Sequence, residues 1–472
     1  MSAGPNADGG GGHRLDPTIL REYDIRGVAG ATLGEADAHA IGRSFATVVR
    51  REGGGRIAVG YDGRLSSPML EQALVAGLAA SGADVVRIGL GPTPMLYYAE
   101  ASASDIDAGI QITGSHNPRD HNGFKFVLHG RPFFGAEIQH LGAMAAAGDW
   151  EQGAGHCEDR AVLDAYVDRL LEGLAGVDPG RLAALRIGWD AGNGAAGPAL
   201  EKLAARLPGE HHLLFTEVDG HFPNHHPDPT IEANLADLKA LVSREGLDFG
   251  VAFDGDADRI GAVDATGRVI WGDQLIAIFA EDVLRRRPGA TIVADVKASR
   301  TLFDAIARNG GHPVMGSSGH SLVKAKMKET GAALGGEMSG HVFFADDYYG
   351  FDDGLYAAVR LMAATVRLGR TLAELRDAMP ETFSTPELRF PVDGARKFAA
   401  VTEVQARLAA DGAQVVDIDG VRVTTPDGWW LLRASNTQDM LTARAESDTR
   451  EGLDRLIGEI DAQLALSGLS RV

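Results

Sequence analysis

The chain has 472 residues, with 65 acidic against 45 basic side chains, a formal net charge of -20 and a single cysteine, Cys157. That charge argues against a general role on nucleic acid or at an anionic membrane surface, and one cysteine allows no internal disulfide framework. No apolar run reaches bilayer length.

Met1 to His13 is small, polar and Gly-rich without an apolar core, so residues 1–14 read as a disordered lead-in and not as a secretory signal. A cytoplasmic protein of three or four domains is expected. Arg56 to Asp62 reads as a buried strand. Ser67 is the expected N-cap and Pro68 the first turn of a helix with Leu70, Leu74, Val75 and Leu78 on one face. Gly82 ends that helix and Val85 to Leu90 forms the next strand, giving a right-handed parallel βαβ unit. Ile110-Gln111-Ile112 then runs into Thr113-Gly114-Ser115-His116-Asn117-Pro118, a turn-rich loop that sets a hydroxyl beside an imidazole. A serine needs a base or a metal to act as a nucleophile. Lys125, shortly after, is a candidate for steadying phosphate or for proton transfer.

A motif of apolar, small, aromatic, Asp, small recurs at Val59-Gly60-Tyr61-Asp62-Gly63, Ile187-Gly188-Trp189-Asp190-Ala191 and Val251-Ala252-Phe253-Asp254-Gly255, with Ile292 to Asp295 a looser copy. Such strand ends on working loops suit successive α/β units. Asp254, Asp256 and Asp258 alternate, and in an extended loop they project to one side as three hard oxygen ligands for a divalent cation. The pattern departs from an EF-hand at Arg259 and Ala265. Arg259, directly after the third aspartate, is a candidate substrate contact. Gly192 to Gly197 matches G-x-G-x-x-G with Glu217 at a ribose-contact distance, which makes a nicotinamide dehydrogenase an alternative. It leaves the serine and aspartate loops unexplained. Gly336-Glu337-Met338-Ser339-Gly340-His341 sets a carboxylate and a hydroxyl at the spacing of vicinal sugar hydroxyls. Past a hinge expected at Glu381 to Thr385 the pattern changes to short strands: Leu388 to Val392, Val415 to Ile418, Val421 to Thr424, Trp429 to Arg433 and Met440 to Ala445. Helices over Ala395 to Ala410 and Arg450 to Leu466 accompany them, so the last domain is α+β and antiparallel. Arg433-Ala434-Ser435-Asn436-Thr437 offers a guanidinium fork and hydrogen-bonding side chains for a phosphate.

Together Thr113 to Pro118 and Asp254-Gly255-Asp256-Ala257-Asp258-Arg259 resemble the α-D-phosphohexomutase family, and the likeness runs from about Leu15 onward. The resemblance implies an α/β protein: three related α/β domains (15–158, 159–268, 269–380) and a C-terminal α+β domain (381–472) around a central cleft. It implies reversible conversion of hexose 1-phosphate and hexose 6-phosphate through a phosphoserine on Ser115 and a hexose 1,6-bisphosphate. Mg²⁺ would sit on Ser115, Asp254, Asp256 and Asp258, with glucose 1,6-bisphosphate as activator. Tyr23 and Arg26 match the N-terminal substrate motif, and Lys297 and His320 match contacts of the third domain. Glu337, Ser339 and His341 match the sugar loop, and Arg433, Ser435, Asn436 and Thr437 the phosphate loop. His116, Lys125 and His320 are the candidates for proton transfer. Met338 resembles the mannose/glucose branch; a glucosamine-phosphate mutase, usually with Gln there, is the nearest alternative, and a non-catalytic sugar-phosphate sensor a further one. Gln438-Asp439 departs from the family, which often has Pro after the position of Thr437. Hexose phosphates are the expected partners, with no nucleic acid and no membrane, for a monomer or homodimer.

Overall fold

Ile57, Ala58 and Val59 have no exposed surface, as expected of a strand covered on both faces. The computed structural model describes residues 11–435 and 439–470. The chain divides into two compact units, Met1–Trp271 with Ser339–Leu372 and Gly272–Met338 with Ala373–Val472.

In the first unit, the opening sheet is built from β1 (Ile25–Val28), β2 (Arg56–Tyr61), β3 (Asp84–Leu90), β4 (Ala108–Ile112) and β5 (His121–Leu128), with short strands at Arg131–Pro132 and Cys157–Asp159. The helices α1 (Glu35–Arg51), α2 (Ser67–Ala80) and α3 (Thr93–Ser102) connect them. β2 pairs in parallel with β3 and β4, while β5 is antiparallel to β4 and β1. The expected βαβ unit is therefore present. Its helix starts one residue early: Ser67 is its first residue and donates its hydroxyl to Asp62 at 2.6 Å, and Ser66 holds the N-cap position without a side-chain cap bond.

A second sheet in this unit has Arg186–Asp190 beside Phe249–Phe253 in parallel, and Phe249–Phe253 is antiparallel to Ile260–Asp264. Asp254 to Arg259 is thus the connection of a β-hairpin, closed where Phe253 faces Ile260. The expectation of an extended loop is corrected here: Ala257 has φ +59° and its N–H bonds to Asp254 O at 3.0 Å, so the segment is a tight turn.

In the second unit, Thr291–Asp295 lies between His312–Gly316 and Leu334–Gly336, all parallel. An antiparallel sheet follows with the order Phe383–Ser384, Met440–Ser447, Gly428–Ala434, Val421–Thr425, Gln414–Val416; Leu388–Pro391 also pairs with Met440–Ser447. The helices Gly394–Ala410 and Arg450–Leu466 contribute Val404, Leu408, Leu456 and Ile460 to its core. The region expected as a hinge holds Phe383–Ser384, which is a paired strand of this sheet. Among the described residues no helix is long and apolar enough to cross a membrane.

All four copies of the strand-end motif are strands, and each aspartate is buried and ties down a loop. Asp62 accepts from Thr113 and Gly114, Asp190 from Gly192, Asp254 from Ser115, and Asp295 from Ser318 and Met338.

Candidate functional site

The loop after β4 is held from both sides of its backbone. Asp62, at the end of β2, accepts from the Thr113 hydroxyl (2.8 Å) and the Gly114 N–H (3.1 Å). The Ser115 N–H bonds to Thr113 Oγ1 at 2.8 Å. Ser115 itself takes φ +48°, a left-handed conformation that costs a non-glycine residue about 1–2 kcal/mol. Its Oγ is 2.8 Å from Asp254 Oδ2 and 3.1 Å from His116 Nδ1. The pairing of Ser115 with His116 that adjacency alone did not guarantee is therefore made.

The hairpin turn brings Asp254, Asp256 and Asp258 together, all with no exposed surface and each with a carboxylate oxygen within 4.8 Å of the others'. Gly255 lets this turn reach the serine loop: a Cβ there would stand 2.4 Å from Ser115 O. Thr93, at the start of α3, donates its hydroxyl to Asp256 at 2.6 Å. Lys125, buried on β5, reaches Asp256 at 2.7 Å and also Asp258. Burial and the two neighbouring carboxylates push Asp254 well above the ordinary carboxylate range. For Asp256 burial acts upward too, but Lys125, Thr93 and Arg26 outweigh it and the net shift is downward. Burial likewise opposes the charge on Lys125, and Asp256 and Asp258 overcome it, so the ammonium is strongly retained. Burial, then the nearby Arg259 and Arg26 charges, keep His116 neutral.

Asp256 Oδ1 and Asp258 Oδ1 are buried and have no hydrogen-bond partner among the described residues. Buried acceptors are ordinarily satisfied. Three clustered carboxylates with free lone pairs form a donor set that fits a hard divalent cation.

Basic groups surround this acidic centre in the first unit. Arg26 pairs with Asp24, and its Nη1 is buried without a partner among the described residues. The Arg259 N–H bonds to Asp254 Oδ1 at 3.1 Å, and Nε donates to His341 Nε2 at 3.0 Å. With Nε2 accepting, the proton of His341 lies on Nδ1, which faces Asp352 at 2.9 Å. His341, expected beside Glu337 and Ser339 on ring hydroxyls, is thus packed among Asp258, Arg259 and Asp352. Tyr23 is half-buried just before the Asp24–Arg26 pair, and Ser339 is half-buried before Gly340.

In the second unit, Glu337 accepts the Gly319 N–H, beside His320 at the start of helix His320–Thr330. Lys297 lies 3.8 Å from Glu387. Arg433 is buried at the end of its strand and is paired with Asp419, Nε at 3.0 Å and Nη2 at 2.9 Å. Lys397 donates to Ser435 O at 2.9 Å and lies 3.4 Å from Asp439, so the acidic residue that departs from the family has a cationic neighbour. Asn436, Thr437 and Gln438 lie outside the described residues.

The Gly192–Gly197 run is explained by the protein's own packing. A Cβ on Gly197 would meet Thr216 O at 1.9 Å, one on Gly194 would meet Gly255 O at 2.8 Å, and Gly192 has φ +55°. Its glycines meet chain where a dinucleotide would need open space.

Sequence reasoning missed Arg64, Thr93, His226 and Asp352. Arg64 and Thr93 carry no motif of their own. His226 donates from Nε2 to His116 O at 2.6 Å, since a carbonyl can only accept.

Family models cover almost all of the chain. Those described as phosphoglucomutase/phosphomannomutase alpha/beta/alpha domains I, II and III match residues 17–152, 164–267 and 271–383, and the C-terminal domain model matches 387–463. A phosphomannomutase/phosphoglucomutase of Pseudomonas aeruginosa is 44% identical over 442 residues, covering 94% of each chain. A phosphoglucomutase of Neisseria gonorrhoeae is 42% identical, covering 93% of this chain and 95% of that one. A crystal structure of a phosphoglucomutase/phosphomannomutase family protein from Burkholderia thailandensis superposes with a TM-score of 0.89 at 43% identity, covering 96% of this chain and 98% of that one.

Proposed function

The chain belongs to the phosphoglucomutase/phosphomannomutase family, and on that premise we propose that it interconverts the 1- and 6-phosphates of glucose and mannose through a phosphorylated Ser115 and a hexose 1,6-bisphosphate. One observation carries the reading: the Ser115 hydroxyl lies 2.8 Å from Asp254, inside a buried cluster of three carboxylates with unpartnered oxygens. Asp254, Asp256 and Asp258, with an oxygen on Ser115, would hold Mg²⁺. Bound there, the ion offsets the crowded negative charge and polarises the transferring phosphoryl group. The local cations Arg26, Lys125 and Arg259 let an anionic substrate approach a chain of net charge -20.

In the first half-reaction a sugar hydroxyl attacks the phosphorus on Ser115. A P–O bond to the sugar forms as the bond to Ser115 Oγ breaks, and the hydroxyl proton passes to a base. His116, Lys125 and His320 are the candidates for proton transfer; Lys125, held as an ammonium, can give a proton to a leaving oxygen but cannot take one, and of the three His116 contacts Ser115 Oγ, at 3.1 Å. The bisphosphate then turns end for end and returns its other phosphoryl group to Ser115 Oγ, leaving the isomeric hexose phosphate. Arg433, Ser435, Asn436 and Thr437 take the phosphate that is not transferring; Glu337 and Ser339 take ring hydroxyls; Tyr23, Arg26, Arg259, Lys297 and His341 supply further contacts. Glucose 1,6-bisphosphate restores a dephosphorylated Ser115. The domain limits proposed are 15–158, 159–268, 269–380 and 381–472.

The test is Ser115→Ala, assayed with glucose 1-phosphate and mannose 1-phosphate in the presence of glucose 1,6-bisphosphate. Turnover should fall by at least about 10³-fold; undiminished turnover removes Ser115 as the carrier. Preference for glucosamine 6-phosphate in the parallel assay would move the enzyme to the hexosamine branch.

A further inference from the structure

Arg64 has no exposed side-chain surface, follows the strand-end Asp62, and directs its guanidinium into the serine loop. Nη1 donates to Pro118 O at 2.6 Å and His121 O at 2.9 Å; Nη2 donates to Ser115 O and Asn117 O, both at 2.7 Å. Its Nε makes no hydrogen bond among the described residues but lies 3.2 Å from the Asp62 Oδ2 charge, and the Phe222 ring faces the guanidinium, whose carbon is 5.4 Å from the centroid. Four backbone carbonyls between Ser115 and the first residue of β5 therefore converge on one buried cation. An arginine so enclosed loses most of its hydration, which here is offset by the four carbonyl bonds of Nη1 and Nη2 and by the Asp62 charge. A lysine has three donors on a single atom and cannot reproduce this planar fork.

The contacts meet at the strained residue. Ser115 holds φ +48° with its carbonyl on Arg64, its N–H on Thr113 Oγ1 and its Oγ on Asp254. The chain has no cis peptide among the described residues, so the peptide that turns Ser115 O toward Arg64 sends the His116 N–H the opposite way, away from the guanidinium. Gly255 closes on the same carbonyl from the aspartate hairpin.

We infer that Arg64 is a positioning residue for phosphoryl transfer: by gathering the carbonyls of Ser115, Asn117, Pro118 and His121 it fixes the Ser115 oxygen, and the His116 N–H beside it, in the orientation that the transfer uses. Arg64 is enclosed by protein and would act through the loop backbone that it holds. The inference rests on the proposed phosphoserine role of Ser115.

The test is Arg64→Lys in the full-length enzyme, with four readouts: thermal stability, phosphate on Ser115 by intact mass, kcat and KM for glucose 1-phosphate, and the half-life of the phosphoserine in buffer. In the folded variant kcat should fall about 10²-fold with KM within about twofold, because a shift of about 1 Å at a reacting atom has that cost. The phosphoserine half-life should change in parallel. A folded variant with wild-type kcat and wild-type phosphoserine half-life, whatever its melting temperature, overturns the inference. If Arg64→Lys does not fold, hydrogen exchange on the wild type decides: the Ser115 and Asn117 amides should be protected alike in phosphorylated and dephosphorylated enzyme, and exchange as fast as in a free chain refutes a fixed loop. If no phosphate is found on Ser115 even in the wild type, the proposed function fails, and that result is read separately from the Arg64 variant.

Discussion

The serine and aspartate loops of the first unit differ from the Arg433 loop of the second in how their polar groups are used. Ser115, Lys125 and the three aspartates are all nearly or fully buried, and Thr93, Asp62 and Arg64 add fixed partners on every side. Two carboxylate oxygens there remain open. In the Arg433 loop the guanidinium is paired with Asp419, which also accepts the Ser318 N–H at 3.1 Å, and Lys397 ties Ser435 O to Asp439. The first region is fixed by many buried partners; the second holds its cation on an internal anion, which a phosphate bound there as proposed would have to displace. On the proposed function that contrast is expected: atoms that make bonds need fixed geometry, whereas a loop that would bind and release phosphate needs exchangeable partners.

The contrast breaks most sharply at the metal loop. Asp256→Asn, or removal of divalent cation with a chelator, should lower mutase activity by at least about 10³-fold, measured with glucose 1-phosphate. Restoration of activity by added Mg²⁺ after chelation checks that the loss is reversible; persistence of activity in chelator would refute a metal role. Lys125→Met leaves buried carboxylates without their cation, so it should cost about 3 kcal/mol of stability as well as activity; urea denaturation measures the first and turnover the second. Arg433→Lys should act on binding instead, raising KM about tenfold while leaving the extent of Ser115 phosphorylation by intact mass unchanged. A fall in kcat with unaltered KM would erase the distinction between the two regions. Removing the internal competitor by Asp419→Asn should lower KM by about threefold.

The smallest expected effect concerns the strand-end pair Asp190 and His225. Burial alone would lower the His225 pKa, but the hydrogen bond and charge of Asp190 raise it above its ordinary value. The folded state then binds a proton more tightly than the unfolded state. Its contribution is complete below the unfolded histidine value and fades as pH rises through the folded one. His225→Gln should flatten that decline above about pH 6.5 by about 1 kcal/mol or less, seen in urea melts across pH.

Much of this was written in local pattern. The strand-end aspartates, the strands of the last domain and the helix Arg450–Leu466 followed from hydrophobic spacing and turn residues, and the aspartate trio and Ser115 from residue type in loops. What escaped is non-local. Arg64 acts on carbonyls more than fifty positions away, and His341 meets Arg259 across 82 residues. A lone Arg after a turn has no periodicity to betray it, and the Glu337-to-His341 spacing gave no sign that His341 belongs with Asp352. The turn at Ala257 was hidden because alanine seldom takes positive φ and carries no turn signature.

The aspartate hairpin has a consequence for assembly. Its three aspartates span five positions between strands that pair directly, so the entropy of closing that segment is small. The serine oxygen joins them from 139 residues away. Folding kinetics should therefore separate the two events, with the acidic turn formed early by short-range contacts and the Ser115 hydroxyl delivered later, at the rate set by long-range topology.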